Sequence, residues 1–279
     1  MDRSLWSVDA SVFECRMSHD IPFYGDALFK RKAGESASFQ LSPMQSRFQT
    51  GKASLVSRAP LWKPGGDEVN LGWVNVNRGK MPVKMSQQRS ERLLAELHAG
   101  RELVLTRAPW YGAENSSKVV LSPVNFQGAY REYLACLGQL LPVNYDQIRR
   151  SSIYFPSGND ILPVSEIRKL DHIGIYVDAD KTVKRFYVDG HTDSVGPRGD
   201  NLELSQRRAE MVVGLLVERG IPREQITTRW HGERYPVASN RTLKGRALNR
   251  RVTVRLEKEG PKVPSLASSG NGPLEGQKL

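Results

Sequence analysis

Tyr187-Val188-Asp189-Gly190-His191-Thr192-Asp193-Ser194-Val195-Gly196 is the stretch that decides how the second half of this chain folds. The β-rich run Arg185 to Asp189 breaks at Gly190 and again at Gly196. A helix is expected from near Asn201 to Gly220, because Ala209, Val212, Val213 and Leu216 recur at i, i+3, i+4 and i+7 as a buried stripe. Gly220 suits a left-handed C-terminal cap, and Pro222 stops the helix beyond it. A second β-like run, Ile226 to Trp230, then returns. The segment reads as strand, loop, helix and strand, a βαβ unit.

The polar residues on this frame carry the functional reading. Asp193 lies in the loop between strand and helix, and Arg207 and Arg208 are expected in the helix's first turns, where a cation opposes the helix dipole. Glu203 is placed to pair with Arg207 four residues on, a solvated pair of small value. Arg208 has no such partner in the sequence. A cation, free backbone N–H groups and a nearby carboxylate suit a ligand carrying both an amine and a carboxylate, the arginine forking onto the latter.

The motifs Gly190-His191-Thr192-Asp193, Asn201-Leu202-Glu203-Leu204-Ser205-Gln206-Arg207-Arg208-Ala209 and Gly220-Ile221 resemble the C-terminal domain of OmpA-like proteins. So does the run from Pro236 to Val252, which contains Gly245-Arg246-Ala247-Leu248-Asn249-Arg250-Arg251. The likeness spans roughly Ile153 to Leu256. Such domains bind peptidoglycan through its diaminopimelate side chain. The resemblance implies that Asp193 takes the ligand's amine and Arg208 its carboxylate, with Thr192, Asn201, Leu204 and Ser205 lining the same pocket.

The 279 residues leave room for two domains, each with its own core. Lys and Arg total 41 against 30 Asp and Glu, a formal charge of +11, which favours anionic partners. No basic helix, zinc spacing or aromatic RNA-binding signature points to nucleic acid, and a carboxylate-rich cell wall fits the charge as well. No run approaches the ~20 apolar residues of a membrane helix, and Met1-Asp2-Arg3-Ser4 does not open a signal peptide.

Residues 1 to about 140 read as mostly β. Candidate strands are Trp6 to Cys15, Ala27 to Lys32, Ser38 to Leu41, Ala53 to Ser57, Leu71 to Asn77, Leu103 to Thr106 and Lys118 to Val124. Asp20-Ile21-Pro22, Lys63-Pro64-Gly65-Gly66, Ala108-Pro109 and Ser122-Pro123 mark turns. Two helices interrupt. Gln87 to His98 has Ser86 as N-cap and Leu93, Leu94 and Leu97 as its apolar face. Phe126 to Leu141 is expected to bury Tyr130, Leu134, Leu137 and Leu141. The segments are too short and irregular for a membrane barrel. Trp62, in a Pro/Gly loop, reads either as a partner contact or as a cap folded onto the core. The even count of two cysteines, Cys15 and Cys136, allows one disulfide or two separate buried thiols.

This half has a resemblance of its own. Phe13-Glu14-Cys15, His19-Asp20-Ile21-Pro22, Gly25-Asp26-Ala27, Pro60-Leu61-Trp62-Lys63-Pro64-Gly65 and Phe126-Gln127 leading to Cys136 resemble the MotY family of periplasmic flagellar motor components. The resemblance implies a Cys15–Cys136 disulfide. It also implies an N-terminal domain on the flagellar basal body, joined by a MotX-like protein in sodium-driven motors, in a ring that holds stator units.

In the second half, Ser151 to Phe155 is an expected strand, Pro156-Ser157-Gly158 a turn and Ile161 to Val177 a helix with Val164, Ile167, Leu170 and Ile173 inward. Val252 to Leu256 supplies the last strand. The expected fold class is α+β: a mostly-β domain with two helices over 1–144, then a βαβαβ domain over 145–257 with a mixed sheet and helices on one face. The tail over 258–279, rich in Pro, Gly and Ser, is expected to be disordered. His172, His191 and His231 lack metal-ligand spacing, and no nucleophile elbow or Cys–His pairing occurs, so neither catalysis nor a cofactor is expected. His191 reads as a hydrogen-bonded residue shaping the loop, and Arg246, Arg250 and Arg251 either as ligands for a wall carboxylate or, as the resemblance implies, as support for the loop and last strand. The expected function is a periplasmic scaffold that ties the motor to the wall. The alternative is an OmpA-like envelope protein without a motor role.

Overall fold

The computed structural model describes residues 5–44, 50–63, 65–107 and 117–259. The expectations for Met1 to Ser4, Pro64, Ala108-Pro109 and the tail from Gly260 lie outside them. The chain divides into two compact units, Met1–Ile148 and Arg149–Leu279.

The first unit holds strands β1 (Leu5–Ala10), β2 (Glu14–Ile21), β3 (Gly25–Lys32), β4 (Ser38–Pro43), β5 (Gly51–Arg58), β6 (Val69–Val76), β7 (Val83–Met85), β8 (Glu102–Arg107) and β9 (Ser117–Leu121). Its helices are α1 (Gln87–His98), α2 (Phe126–Leu137) and the short α3 (Tyr145–Ile148). Two antiparallel sheets form, in the orders β1-β2-β3-β4-β7 and β6-β5-β8-β9. Met17, Phe29, Phe39, Leu55, Leu93, Leu97, Leu105 and Phe126 belong to one buried apolar core shared by both sheets and the helices. The indole of Trp6 stacks on His19 at 4.4 Å and meets the edge of Phe126 at 4.9 Å.

The strand expected over Trp6 to Cys15 is two strands. The Ser11 hydroxyl accepts the backbone N–H groups of Phe13 and Glu14 at 3.3 and 3.0 Å, a side-chain turn that competes with the ladder and reverses the chain. Helix α2 ends at Gly138, not Leu141, and buries Phe126, Ala129, Tyr133 and Cys136 while Leu134 stays exposed. The disulfide explains that rotation. Cys15 on β2 is joined to Cys136 on α2, with a Cα–Cα distance of 5.9 Å and 121 residues between them, and this turns the Cys136 face towards the sheet. Trp62 is 57% exposed and does not cap the core. Tyr145 to Ile148, expected in the second domain, sit in the first unit. The Asn144 and Gln147 amides bond the Ala33 and Gly34 carbonyls, both at 3.0 Å.

The second unit contains β10 (Arg150–Tyr154), α4 (Val164–Ala179), β11 (Val183–Gly190), α5 (Arg198–Glu218), β12 (Ile226–Trp230), α6 (Leu243–Asn249) and β13 (Arg251–Lys258). The sheet order is β10-β13-β11-β12, with β11 and β12 parallel and the other pairs antiparallel. Phe186, Val188, Val252, Val254 and Leu256 are buried on one side, with Leu170, Ile173, Val212, Val213 and Leu216 from α4 and α5. The other side carries Tyr187, Asp189, Arg229 and Arg255, with Arg255 over the Tyr187 ring at 4.4 Å. This is the polar-out, apolar-in alternation of a sheet covered on one face. The fold is α+β, with a mixed sheet in the second unit.

Helix α5 starts at Arg198, three residues before the expected Asn201, because the Asn201 N–H already bonds the Pro197 carbonyl at 3.0 Å. Arg208 is therefore in the third turn, where the end charge of the helix no longer acts on it. Helix α4 starts at Val164 after Pro163, and Val164 is exposed. Glu166 is drawn in instead, its carboxylate accepting the Tyr154 N–H at 2.9 Å and a Lys169 ion pair at 2.8 Å. Lys258, counted with the tail, ends β13 and pairs with Asp180 at 2.8 Å.

Candidate functional site

Strand β11 approaches α5 most closely at Gly190. A Cβ there would run into the Ser205 carbonyl and sit 3.2 Å from the Ala209 methyl, so only glycine lets the strand end dock on the helix. The chain then leaves the sheet through His191, whose N–H bonds the Arg251 carbonyl at 2.9 Å, and Thr192, whose N–H bonds the Gly232 carbonyl at 2.9 Å. These two bonds place Asp193 at the mouth of the loop. Its Oδ1 accepts the Val195 N–H at 3.1 Å, which fixes the carboxylate plane. Its Oδ2 accepts from Arg250 Nη1 at 2.9 Å, in a pair whose carboxylate is buried and whose guanidinium is partly exposed.

Arg208 is the largest of the fully buried side chains, at 0% exposure. Its Nε and Nη2 donate to the Asn159 carbonyl at 3.0 and 2.6 Å, and Nη2 also donates to the Pro156 carbonyl at 3.0 Å. The guanidinium lies over the Phe155 ring at 5.0 Å. Burial, and after it the Arg250 cation, push its pKa down to about 10, while Asp193 and Asp160 act the other way. It stays a cation at neutral pH. Its Nη1 is buried without a hydrogen-bond partner among the described residues. The Thr192 hydroxyl is in the same condition.

Arg250 links the two halves of this site. Besides Asp193 it donates through Nε to the Phe155 carbonyl at 3.2 Å, and its own carbonyl accepts the Phe155 N–H at 3.0 Å. Phe155 in turn carries the ring under Arg208. Asp193, Arg208, Arg250 and Phe155 thus form one connected group. The remaining candidates fall to the side of it. The Asn201 amide donates to Glu233 at 3.1 Å, and the Ser205 hydroxyl donates to the Leu202 carbonyl at 2.7 Å and accepts the Gly232 N–H at 3.0 Å. Leu204 is half-buried on the same helix.

Sequence reasoning missed two partners. Arg250 appeared as support for the last strand or as a ligand for a wall carboxylate, not as the partner of Asp193, and Phe155 only as the end of a strand. A buried Asp193 needs a cation, and the sequence supplied three nearby arginines without saying which one reaches it. His191 also differs from expectation. Its ring stacks on His231 at 5.0 Å and its Nδ1 is buried with no partner.

Comparison with known proteins adds a second line. The family model for the MotY N-terminal domain matches residues 1–142, and that of the OmpA family matches residues 154–250. The sodium-type flagellar protein MotY of Vibrio parahaemolyticus is 29% identical over 260 residues, covering 91% of this chain and 87% of that protein. Outer membrane porin F of Pseudomonas fluorescens is 51% identical over 70 residues, 25% of this chain and 22% of that protein, so the chain spans about a fifth of its length. A crystal structure of the peptidoglycan-associated lipoprotein from Burkholderia pseudomallei is 26% identical, covering 38% of this chain and 89% of that one with a TM-score of 0.36. With its N-terminal half matched throughout and an OmpA-family domain behind it, the chain belongs to the MotY family.

Proposed function

We propose that this protein is a periplasmic wall anchor of the flagellar motor. The second unit holds the diaminopimelate stem of peptidoglycan, with the ligand amine on Asp193 and its carboxylate on Arg208. The first unit docks on the basal body, in a ring that holds stator units and recruits a MotX-like partner where one is present. Reaction torque on the ring is then resisted through the wall. No bond is made or broken.

The observation that carries the reading is the Arg208 Nη1, a charged donor buried without a partner in a site that also contains a carboxylate. Leaving such a group unpaired costs on the order of 1–3 kcal/mol, and a ligand carboxylate removes that cost. The Thr192 hydroxyl, next to Asp193 in sequence, supplies a further group without a hydrogen-bond partner among the described residues. Asp193 is shared with Arg250, so a ligand amine joins or displaces an existing ion pair. Asn201, Leu204 and Ser205 shape the wall of the pocket in this reading.

The test is sedimentation with purified diaminopimelate-type peptidoglycan. Asp193→Asn keeps the volume and loses the charge, so it should stay in the supernatant while the wild type pellets. The comparison is made at a temperature where both are folded, because the variant also gives up the Arg250 ion pair and should melt lower. Equal pelleting of the two removes the proposed role of Asp193. Arg208→Ala is the blunter probe, because it also strips the Pro156 and Asn159 carbonyls of their donor. In cells, Asp193→Asn should weaken swimming with flagella still assembled.

A further inference from the structure

The uncovered face of the second unit's sheet holds a separate cleft of about 460 Å³, within the range of small-molecule sites. It is lined by residues of β10, β11, β12 and β13 and by the chain from His231 to Val237. Neither Asp193 nor Arg208 lines it.

The charges in this cleft do not balance. Its one carboxylate, Asp189, is committed to Arg229 at 2.6 and 3.1 Å and to His231 Nε2 at 3.2 Å. Arg251 is 7% exposed and donates only to main-chain carbonyls, those of Asn249 at 3.4 Å and Tyr235 at 3.2 Å. Arg150 lies on the same face at the start of β10, and no ion pair joins it to a carboxylate among the described residues. Burial holds the Arg251 pKa below the usual arginine range, and the Arg150 cation adds to that, against Tyr154 and Asp189. His191 closes the wall at 6% exposure, with a ring nitrogen, Nδ1, that has no partner. Two cations without a carboxylate of their own leave the cleft short of an acceptor with negative charge.

We infer that this cleft is a second binding site for an oxyanion, phosphate or carboxylate, held between Arg150 and Arg251 and carried on a body the size of one sugar or amino-acid residue. Arg251 forks onto the anion from a fixed position, and Arg150 closes on it from the rim. His191 presents its ring beside them. The inference does not depend on the Asp193 pocket, and the two are separable by mutation.

Calorimetric titration of the full chain at constant ionic strength tests it, with inorganic phosphate in one arm and N-acetylalanine in the other. One saturable site that Arg150→Gln weakens is expected, distinct from any carboxylate uptake at Arg208 that Arg150→Gln leaves unchanged, with the tighter probe identifying the source as phosphate or carboxylate. Arg150→Gln, at an exposed position that should leave folding intact, is expected to weaken binding by at least about tenfold, the loss of one charge-assisted contact. Asp193→Asn is expected to bind both probes as the wild type does. Absence of saturable heat from both probes overturns the inference. So does an Arg150→Gln variant with unchanged affinity, or loss of binding in Asp193→Asn.

Discussion

The two units solve the problem of a small domain in opposite ways. The first unit buries mostly apolar side chains and closes a 121-residue loop with Cys15–Cys136, while large aromatics such as Trp62 and Trp73 stay outside. The second unit has no cysteine and places Asp193, Asn201, Arg208, Asn249 and Arg251 in its interior. Buried polar groups must be paired in place, so they fix a geometry, whereas an apolar core mainly fixes that the chain is folded. Specificity is therefore expected on the surface of the first unit and inside the second.

The largest effect should come from the disulfide. Replacing Cys15 and Cys136 by serine should cost the first unit about 4–5 kcal/mol in the chain-entropy model and leave the second untouched. Trp6, Trp62, Trp73 and Trp110 precede the unit boundary and only Trp230 follows it, so tryptophan fluorescence in denaturant reports chiefly on the first unit. A matching loss in the second unit would break the contrast.

A smaller effect, confined to the second unit, should appear on acidification. Burial, and then the Arg251 cation and the neighbouring His231, lower the His191 pKa to about 4 against an ordinary 6.5. The unfolded chain takes up a proton at this residue before the native one does. The stabilisation is thus fully present above pH 6.5 and lost as the pH falls towards 4, by about 2 kcal/mol once solvent screening is allowed for. Amide hydrogen exchange of β11 to β13 across that window, read in the second unit alone, checks the sign, and His191→Gln should flatten the dependence. The smallest change in stability should come from Trp73→Ala. At 61% exposure its removal should shift melting by less than about 0.5 kcal/mol, yet weaken any partner docking that uses β6. A large loss of stability with docking intact would place Trp73 with the core residues instead.

The sequence was most legible where one local signal acts alone. Ser86 and Gly100 bracketed α1, and the stripe from Ala209 to Leu216 marked the inner face of α5. It was least legible where two signals compete. The β-rich run from Trp6 to Cys15 concealed a serine turn, and the leucines of α2 pointed to a face that the disulfide turns away. At the candidate site, Asp193 and Arg208 stood out by charge and motif. Arg250 and Phe155 did not, because each is ordinary for its place in the chain and acts only through a neighbour about 50 or more residues distant.

By itself the sequence determined the α+β class, the basic charge and the order of elements in the second half except α6, whose short helix after Thr242 was not foreseen. These follow from hydrophobic periodicity, turn chemistry and composition, which are local or additive, whereas Asp193 and Arg208 were singled out by charge together with a family motif. Only the tertiary structure decided that Arg250 is the residue on Asp193, that Arg208 leaves one donor unspent, and that two arginines face an open cleft without a counter-charge. Pairing of buried charge depends on which strands and loops converge, and that convergence is set by the packing of the whole unit.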